Sequence, residues 1–381
     1  MDKREYKRNA YGMIYLAACA VKGKIPKAEK IQRYDLKELF EVCKRHNLTA
    51  CVAYALESAG IKDDEYTQAK AKAIRKNILL DFERKLILDE MESRHIWYMP
   101  LKGSLLKDMY PMSGMRQMAD NDILCDSSKM AEVRDIFLNA GYTCEHFGQG
   151  NHDVYFKEPV LNFEMHSKLF MKYQVGVIAD YYHGIKRQLI KDDNNEYGYH
   201  FSNEDFYLFM LAHEYKHFSR GGTGVRSLLD TYIFLNRFSD TLDWNYINAE
   251  LKKLDMVPYE KKNRELAMKV FGGGKLTDEE KKLLDYYIFS GTYGTTENSV
   301  NNRVKEYGSG AFAKLRYTLS RLFVPLSPRN PRYAIYSSFY SWYYEKKYRL
   351  PLLFFRRIWL ALTKRRARSV REIRALVRHK R

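Results

Sequence analysis

The sequence has few cysteines, and their spacing argues against two classes of protein. The 381 residues include five cysteines, an odd number, and no two of them form a Cys-x-x-Cys pair. Disulfide frameworks use an even number of cysteines, and cysteine-based zinc sites use closely spaced ones. We therefore expect neither of these, and the cysteine usage is typical of a protein in a reducing cytoplasm.

Long apolar runs are also missing. No stretch approaches the roughly 20 apolar residues that a transmembrane helix requires, and the short apolar run 13–21 lies within a mixed helical pattern. The first five residues, Met1–Glu5, do not begin a pattern typical of a secretory signal peptide. The sequence thus predicts a cytoplasmic protein without a transmembrane span.

Positive charge is concentrated near the C-terminus. The formal net charge is +18 at pH 7, and residues 346–381 contain fourteen lysines and arginines against one acid, Glu372. In residues 351–381, the basic tail, these charges are interleaved with large apolar side chains. Such a pattern is typical of a helix on an anionic membrane surface or of an RNA-binding segment. A helix packed on the core with a frayed basic end fits the pattern equally well.

Hydrophobic periodicity divides the chain into parts. Apolar residues make up 45% of the sequence, enough for a sizeable core in two or three packed units. The pattern predicts an α+β fold, a mixed sheet flanked by helices with helical N-terminal and C-terminal parts. Within these parts, Asp35 is expected to cap a helix and residues 291–310 to form a loop. The predicted parts are an N-terminal helical segment, a domain that contains the sheet, a helical domain and a C-terminal helical region with the basic tail, at residues 1–95, 96–200, 201–275 and 276–381.

Three acidic residues are spaced as metal ligands. Asp120 and Asp122 occupy positions i and i+2 of a predicted strand, 119–125, and such side chains share one face. Glu164 lies in a second predicted strand, 159–165. Carboxylate oxygens are the ligands that Mg²⁺ prefers in proteins. The sequence therefore predicts a magnesium site built from these three side chains.

A pair of small residues precedes the carboxylates. Gly103 and Ser104 follow a predicted strand, 96–101, and precede a predicted helix, 105–110. The unpaired N–H groups at the start of a helix bind phosphate oxygens. The hydroxyl of Ser104 offers a further donor and Lys102 a positive charge. We expect this corner to hold a triphosphate.

Six short segments follow one another in a recognisable order. They are Leu101-Lys102-Gly103, Tyr110-Pro111, Arg116, Asp120-Asn121-Asp122-Ile123-Leu124, Glu164-Met165-His166 and His213-Glu214-Tyr215-Lys216-His217. Together they resemble the DNA-polymerase-β-like nucleotidyltransferase superfamily, and most closely a bacterial branch of uncharacterised nucleotidyltransferases.

The resemblance implies an enzyme that transfers NMP from ATP or another NTP to a hydroxyl acceptor and releases pyrophosphate. It implies that residues 96–200 are the nucleotidyltransferase catalytic domain and that the helical domain 201–275 closes the cleft. It implies that Asp120, Asp122 and Glu164 are catalytic and bind two Mg²⁺ or Mn²⁺ ions, with Glu164 as an alternative general base. The implied nucleotide-binding residues are Lys102, Gly103, Ser104, Arg116, His213 and Lys216. Neither the acceptor nor the oligomeric state follows from these residues.

One segment also matches a zinc-peptidase motif. His213 and His217 are spaced i, i+4 on a predicted helix and share a face, with Glu214 between them as a candidate base. A third ligand is needed, and Asp230 or Glu250 is a candidate, although Asp230 also suits a salt bridge. A zinc metallohydrolase is therefore one alternative function. A non-catalytic protein that binds membrane or RNA through the basic tail is the other.

Overall fold

The computed structural model describes residues 1–145, 147–148, 150–172, 175–330 and 332–378. The N-terminal part is helical, as predicted. Asp35 caps the third helix, because its carboxylate accepts hydrogen bonds from the backbone N–H groups of Lys37 and Glu38. The helices of this part are α1 (Lys3–Val21), α2 (Ala28–Ile31), α3 (Leu36–His46), α4 (Thr49–Ser58) and α5 (Asp64–Ser93).

A five-stranded mixed sheet follows. In chain order its elements are β1 (Tyr98–Pro100), α6 (Lys102–Leu106), β2 (Asn121–Cys125), α7 (Met130–Asn139), β3 (Thr143–Cys144), β4 (His152–Lys157) and β5 (Leu161–His166). The strands lie in the order β1-β2-β5-β4-β3, and only the β2–β5 pair is parallel. That pair sets Asp122 opposite Glu164. Paired residues point to the same face of a sheet, so carboxylates distant in the chain meet on one surface.

The two faces of the sheet have different surroundings. α5 and α7 cover one face, whose apolar side chains include Ile123, Phe163 and Met165. Asn121 also turns toward α5, where its amide nitrogen donates to the carbonyl of Leu80 and its oxygen accepts from Arg84. These bonds satisfy a polar side chain among apolar neighbours. The opposite face carries Asp122 and Glu164.

The corner after β1 differs from the sequence prediction. α6 begins at Lys102 rather than at Leu105, so Gly103 and Ser104 lie inside its first turn. The buried hydroxyl of Ser104 donates to the carbonyl of Leu101 at 2.8 Å. Because the helix starts earlier than predicted, the hydroxyl lies beside the last carbonyl before the helix. Its proton is donated to that carbonyl and is therefore not available for a phosphate oxygen.

The segment after the sheet is mainly helical. Its elements are α8 (Gly176–Tyr181), β6 (Ile190–Lys191), β7 (Tyr199–His200), α9 (Asn203–Phe218), α10 (Val225–Phe238), α11 (Trp244–Lys253), α12 (Val257–Gly272) and α13 (Asp278–Ser290). Helices α10, α12 and α13 share one hydrophobic core with α1, α3 and α4. Segments far apart in sequence thus pack together, and the division into four consecutive domains stays a prediction.

The C-terminal region contains α14 (Thr296–Lys305), α15 (Gly310–Leu322), α16 (Tyr333–Phe339), α17 (Ser341–Tyr344), α18 (Leu350–Leu362) and α19 (Arg366–Arg378). The predicted loop at 291–310 is wrong in its middle, because Thr295 caps α14 by accepting from the N–H of Asn298. α19 buries Ala375 against α14, so this part of the basic tail packs on the protein. Residues 379–381 of the tail lie outside the described residues. Among the described helices, none combines the length and apolarity needed to cross a membrane.

Candidate active site

A cavity of about 600 Å³ lies against the carboxylate-bearing face of the sheet. It gathers residues from β2, β4, β5, α6, α9 and α10. Eight of the nine predicted site residues line it, namely Lys102, Gly103, Arg116, Asp120, Asp122, Glu164, His213 and Lys216. The ninth, Ser104, is buried beneath the corner. The structure therefore brings the predicted carboxylates and the predicted lysines to one place.

The three carboxylates crowd one another. Asp120 immediately precedes β2, and burial, with the charge of Asp122, raises the pKa of Asp120 to about 7. Burial and the charges of Asp122 and Asp120 raise the pKa of Glu164 to about 8. Burial also acts to raise the pKa of Asp122, but the hydrogen bond and charge of His166 outweigh it, and this pKa is lowered. The negative charge is in excess here, a condition that a divalent cation relieves.

Two histidines without a role in the sequence analysis stand beside the carboxylates. His166 Nε2 lies 3.0 Å from Asp122 Oδ1 and 3.7 Å from Glu164 Oε2. His152 Nε2 lies 3.5 Å from the same oxygen of Glu164. The i+2 spacing of Glu164 and His166 could have suggested a shared face. His152 gave no such signal, because only the pairing of β4 with β5 brings it opposite His166.

Positive side chains line the same cavity. Besides the predicted Lys102 and Lys216 they include Arg220 and Arg226, which the sequence analysis missed. Burial lowers the pKa of Lys216, although Asp122 and Glu164 act to raise it. Arg226 donates to the carbonyl oxygen of Gln117 at 3.0 Å. Cations near carboxylates form a polar environment suited to a polyphosphate with its metal ions.

Arg116 is buried and its guanidinium contacts protein groups. Its Nε and Nη2 donate to the two carboxylate oxygens of Asp230 at 2.8 and 3.1 Å, and Nη1 donates to the carbonyl of Gly103 at 3.2 Å. The hydroxyl of Tyr110 donates to the same carboxylate at 2.8 Å. This bidentate pair ties the corner at α6 to α10. The geometry gives Arg116 a positioning role, and Asp230 forms the salt bridge that the sequence allowed.

Within the described ranges, neither candidate third ligand is available to complete a zinc site with His213 and His217. The rings of His213 and His217 are neighbours, with centroids 4.9 Å apart. Asp230 and Glu250, the candidate third ligands, form ion pairs with basic residues instead. The buried Glu214 accepts hydrogen bonds from Ser227, Asn263 and Tyr287. All three bonds use Oε1, so this oxygen ties α9 to α10, α12 and α13.

The mixed sheet, its helical flanks and the carboxylates facing a cavity that also contains lysines and arginines are consistent with a nucleotidyltransferase fold. A family model described as uncharacterised nucleotidyltransferase matches residues 32–272, and the chain belongs to this family. The match spans all the residues of the predicted site and confirms the resemblance found in the sequence. It supports nucleotidyl transfer as the general activity. A search of the curated proteins and a search of the solved structures find no match.

Proposed function

We propose that the protein transfers NMP from an NTP to a hydroxyl acceptor and releases pyrophosphate. The convergence of Asp120, Asp122 and Glu164 on one cavity with Lys102 and Lys216 carries this proposal. Phosphoryl transfer requires a protein mainly to position the reactants and to neutralise developing negative charge. The cavity supplies groups for both tasks.

The carboxylates fit Mg²⁺ or Mn²⁺. Asp122 and Glu164 are paired in register on adjacent strands, and Asp120 is close enough to raise the pKa of Glu164 through its charge. Bound divalent ions would neutralise phosphate charge and make the acceptor hydroxyl easier to deprotonate. His166 holds the Asp122 carboxylate in place through its hydrogen bond.

The remaining groups receive roles from their positions. Lys216 and Arg226 line the cavity and would bind the triphosphate oxygens. Glu164 is the alternative general base for the acceptor hydroxyl where it does not bind a metal ion; with its pKa raised to about 8, it would be mostly ionised and active in this role only above that pH. Arg116 acts indirectly, by fixing the corner that contains Gly103.

Tyr293 offers an aromatic surface for the base of the nucleotide. Its side chain is 83% exposed, and it is the single Phe, Tyr or Trp among the described residues that line the cavity. Tyr293 lies in the loop between α13 and α14. Backbone hydrogen bonds hold this loop on both sides of the tyrosine: the N–H of Thr292 donates to the carbonyl of Arg45, and the N–H of Thr295 donates to the carbonyl of Gly221. A ring on a fixed loop stacks with little loss of freedom, so we propose that Tyr293 stacks on the base.

Thermal unfolding of the protein with each of the four NTPs and Mg²⁺ tests the nucleotide site. We expect at least one NTP to raise Tm, because a ligand that binds only the folded state stabilises it, by about 2.7 kcal/mol at 100 times its Kd. Radiolabelled NMP incorporation into candidate acceptors tests the chemistry. Unchanged Tm with all four NTPs at millimolar concentration contradicts the proposal.

The Tyr293→Ala variant extends this test to the base. Stacking contributes about 1–3 kcal/mol per base, so the Kd for the preferred NTP should rise roughly 5- to 150-fold. Tyr293→Phe retains the ring and should bind normally. Tyr348→Ala, a change at another exposed tyrosine, serves as the matched control. Equal Kd values for Tyr293→Ala and wild type would remove the stacking role.

We also propose that the enzyme is cytoplasmic and that its basic tail brings it to an anionic membrane surface. α18 leaves Leu352, Phe355, Trp359 and Leu362 exposed, with basic residues between and after them. A helix with exposed Trp and Phe beside arginines is typical of interfacial binding.

Cosedimentation with phosphatidylserine vesicles tests the membrane contact. The full chain should bind these vesicles and not phosphatidylcholine vesicles, and Trp359→Glu should weaken binding because it places a negative charge on the apolar surface. Leu138→Glu, a change at an exposed leucine of α7, is the control. Binding to RNA alone, or to neither partner, argues against the proposal.

A further inference from the structure

The histidines beside the carboxylates complete a set of metal donors. Ligand atoms of His152, Glu164 and His166 all lie within 4.8 Å of one another. We infer that the chain binds a first-row transition-metal ion through both imidazoles and Glu164. This inference rests on the proposed function, because that function uses a divalent ion. It adds the class of the ion and the nitrogen atoms that bind it.

The distances from the two imidazoles to Glu164 are slightly longer than those between neighbouring ligands on one ion. Two ligands about 2.1 Å from a metal lie about 3.0 Å apart at a right angle and about 3.4 Å apart at a tetrahedral angle. His152 Nε2 and His166 Nε2 lie 3.5 and 3.7 Å from Glu164 Oε2. Asp122 Oδ1 lies 3.0 Å from His166 Nε2 but outside the set of donors that are all within 4.8 Å of one another. Small side-chain adjustments would close the set around an ion.

The backbone holds these donors on adjacent strands. His152 on β4 pairs directly with His166 on β5, and Glu164 precedes His166 by two residues on the same face. The two imidazole rings are neighbours, with centroids 4.9 Å apart. Donors on paired strands keep their spacing better than donors on loops, so the site is largely pre-organised.

The imidazole nitrogens decide which ion fits. Mg²⁺ prefers an all-oxygen shell and keeps several waters. Two histidines with one or two carboxylates favour first-row transition ions such as Fe²⁺ and Zn²⁺, and Mn²⁺ accepts both oxygen and nitrogen donors. The three carboxylates alone would suit Mg²⁺, and His152 with His166 shifts the preference away from it.

Metal binding requires a proton to change place on His166. Asn151 Nδ2 lies 3.3 Å from His166 Nδ1 and 3.3 Å from the carbonyl of Lys168. When this amide donates to Nδ1, the neutral ring carries its proton on Nε2 and donates it to Asp122. With a metal at Nε2 the proton moves to Nδ1, and the Asn151 amide must turn its oxygen toward it. The hydrogen bond between His166 Nε2 and Asp122 is lost when Nε2 binds the ion.

Pulsed EPR of Mn²⁺ bound to the full chain without nucleotide tests the inference. Coordinated imidazole gives ¹⁴N modulation, whereas Mn²⁺ held by oxygen atoms alone gives none. We expect the modulation in the wild type, its loss in the His152→Ala/His166→Ala double variant, and about tenfold or more weaker Mn²⁺ binding there. His183→Ala, a change at an exposed histidine outside the cluster, should leave both unchanged.

Failure to bind Mn²⁺, bound Mn²⁺ without ¹⁴N modulation, or modulation that survives the double variant would overturn the inference. Circular dichroism checks that the variants fold. If the double variant does not, His152→Ala alone decides, because its side chain is 31% exposed: it should weaken Mn²⁺ binding and reduce the ¹⁴N modulation to that of one imidazole, and unchanged affinity and modulation would overturn the inference. If the protein transfers NMP but its Mn²⁺ has no nitrogen ligand, this inference is wrong and the proposed function stands. If Mn²⁺ has nitrogen ligands but no NMP is transferred, the metal site stands and the proposed function is wrong.

Discussion

The Asp122→Asn variant should lose NMP transfer by about a thousandfold or more, because removal of a ligand charge forfeits several kcal/mol of transition-state stabilisation. The variant should remain folded. The asparagine oxygen still accepts the hydrogen bond from His166 Nε2, which Asp122 Oδ1 accepts at 3.0 Å. Removal of one charge relieves the repulsion that raises the pKa of Glu164 but also removes the charge that His166 stabilises, so Tm should change little.

Labelled NMP transfer and thermal unfolding, measured on the same preparation, check this prediction. Asp135→Asn is the matched control, since Asp135 is exposed on α7, which covers the opposite face of the sheet. It should change neither activity nor Tm. Full transfer activity in Asp122→Asn would take the catalytic role away from this carboxylate.

The Asp230→Asn variant should lose about 3–5 kcal/mol of the free energy of unfolding, because it leaves the Arg116 guanidinium buried without a counter-charge. Both side chains of the pair are almost fully buried, at 5% and 2% exposure. The pair joins the α6 corner to α10, so NMP transfer should fall as well. Urea denaturation measures the loss, with Asp240→Asn at an exposed aspartate as the control.

A double variant separates the cost of an unpaired charge from the value of the pair itself. Arg116→Met/Asp230→Leu removes both charges and should be less destabilised than the sum of the single variants, since apolar replacements of a buried ion pair are often tolerated. Additive losses would mean that the two residues act independently. A loss in Asp230→Asn no larger than in the control would show that the ion pair does not hold the corner.

The sequence was informative where function depends on local spacing. The cap at Asp35 follows from a few neighbouring residues and is confirmed. The i, i+2 spacing of Asp120 and Asp122 predicted one strand over 119–125, but β2 begins at Asn121, so Asp120 lies just before it. The family match confirms the resemblance and the fold class. The start of α6 and the helix α14 were mispredicted, because their boundaries depend on individual hydrogen bonds such as the one from Ser104 to Leu101.

The sequence by itself determined the family, the α+β class and the identity of the acidic side chains, because short motifs carry that information. Only the tertiary structure decided what surrounds them. The parallel pairing of β2 with β5 sets Asp122 opposite Glu164, and the antiparallel pairing of β4 adds His152. The packing of α10 directs Asp230 to Arg116. Strand register and helix packing arise from the sum of many apolar contacts across the whole chain, so no local stretch of sequence specifies them.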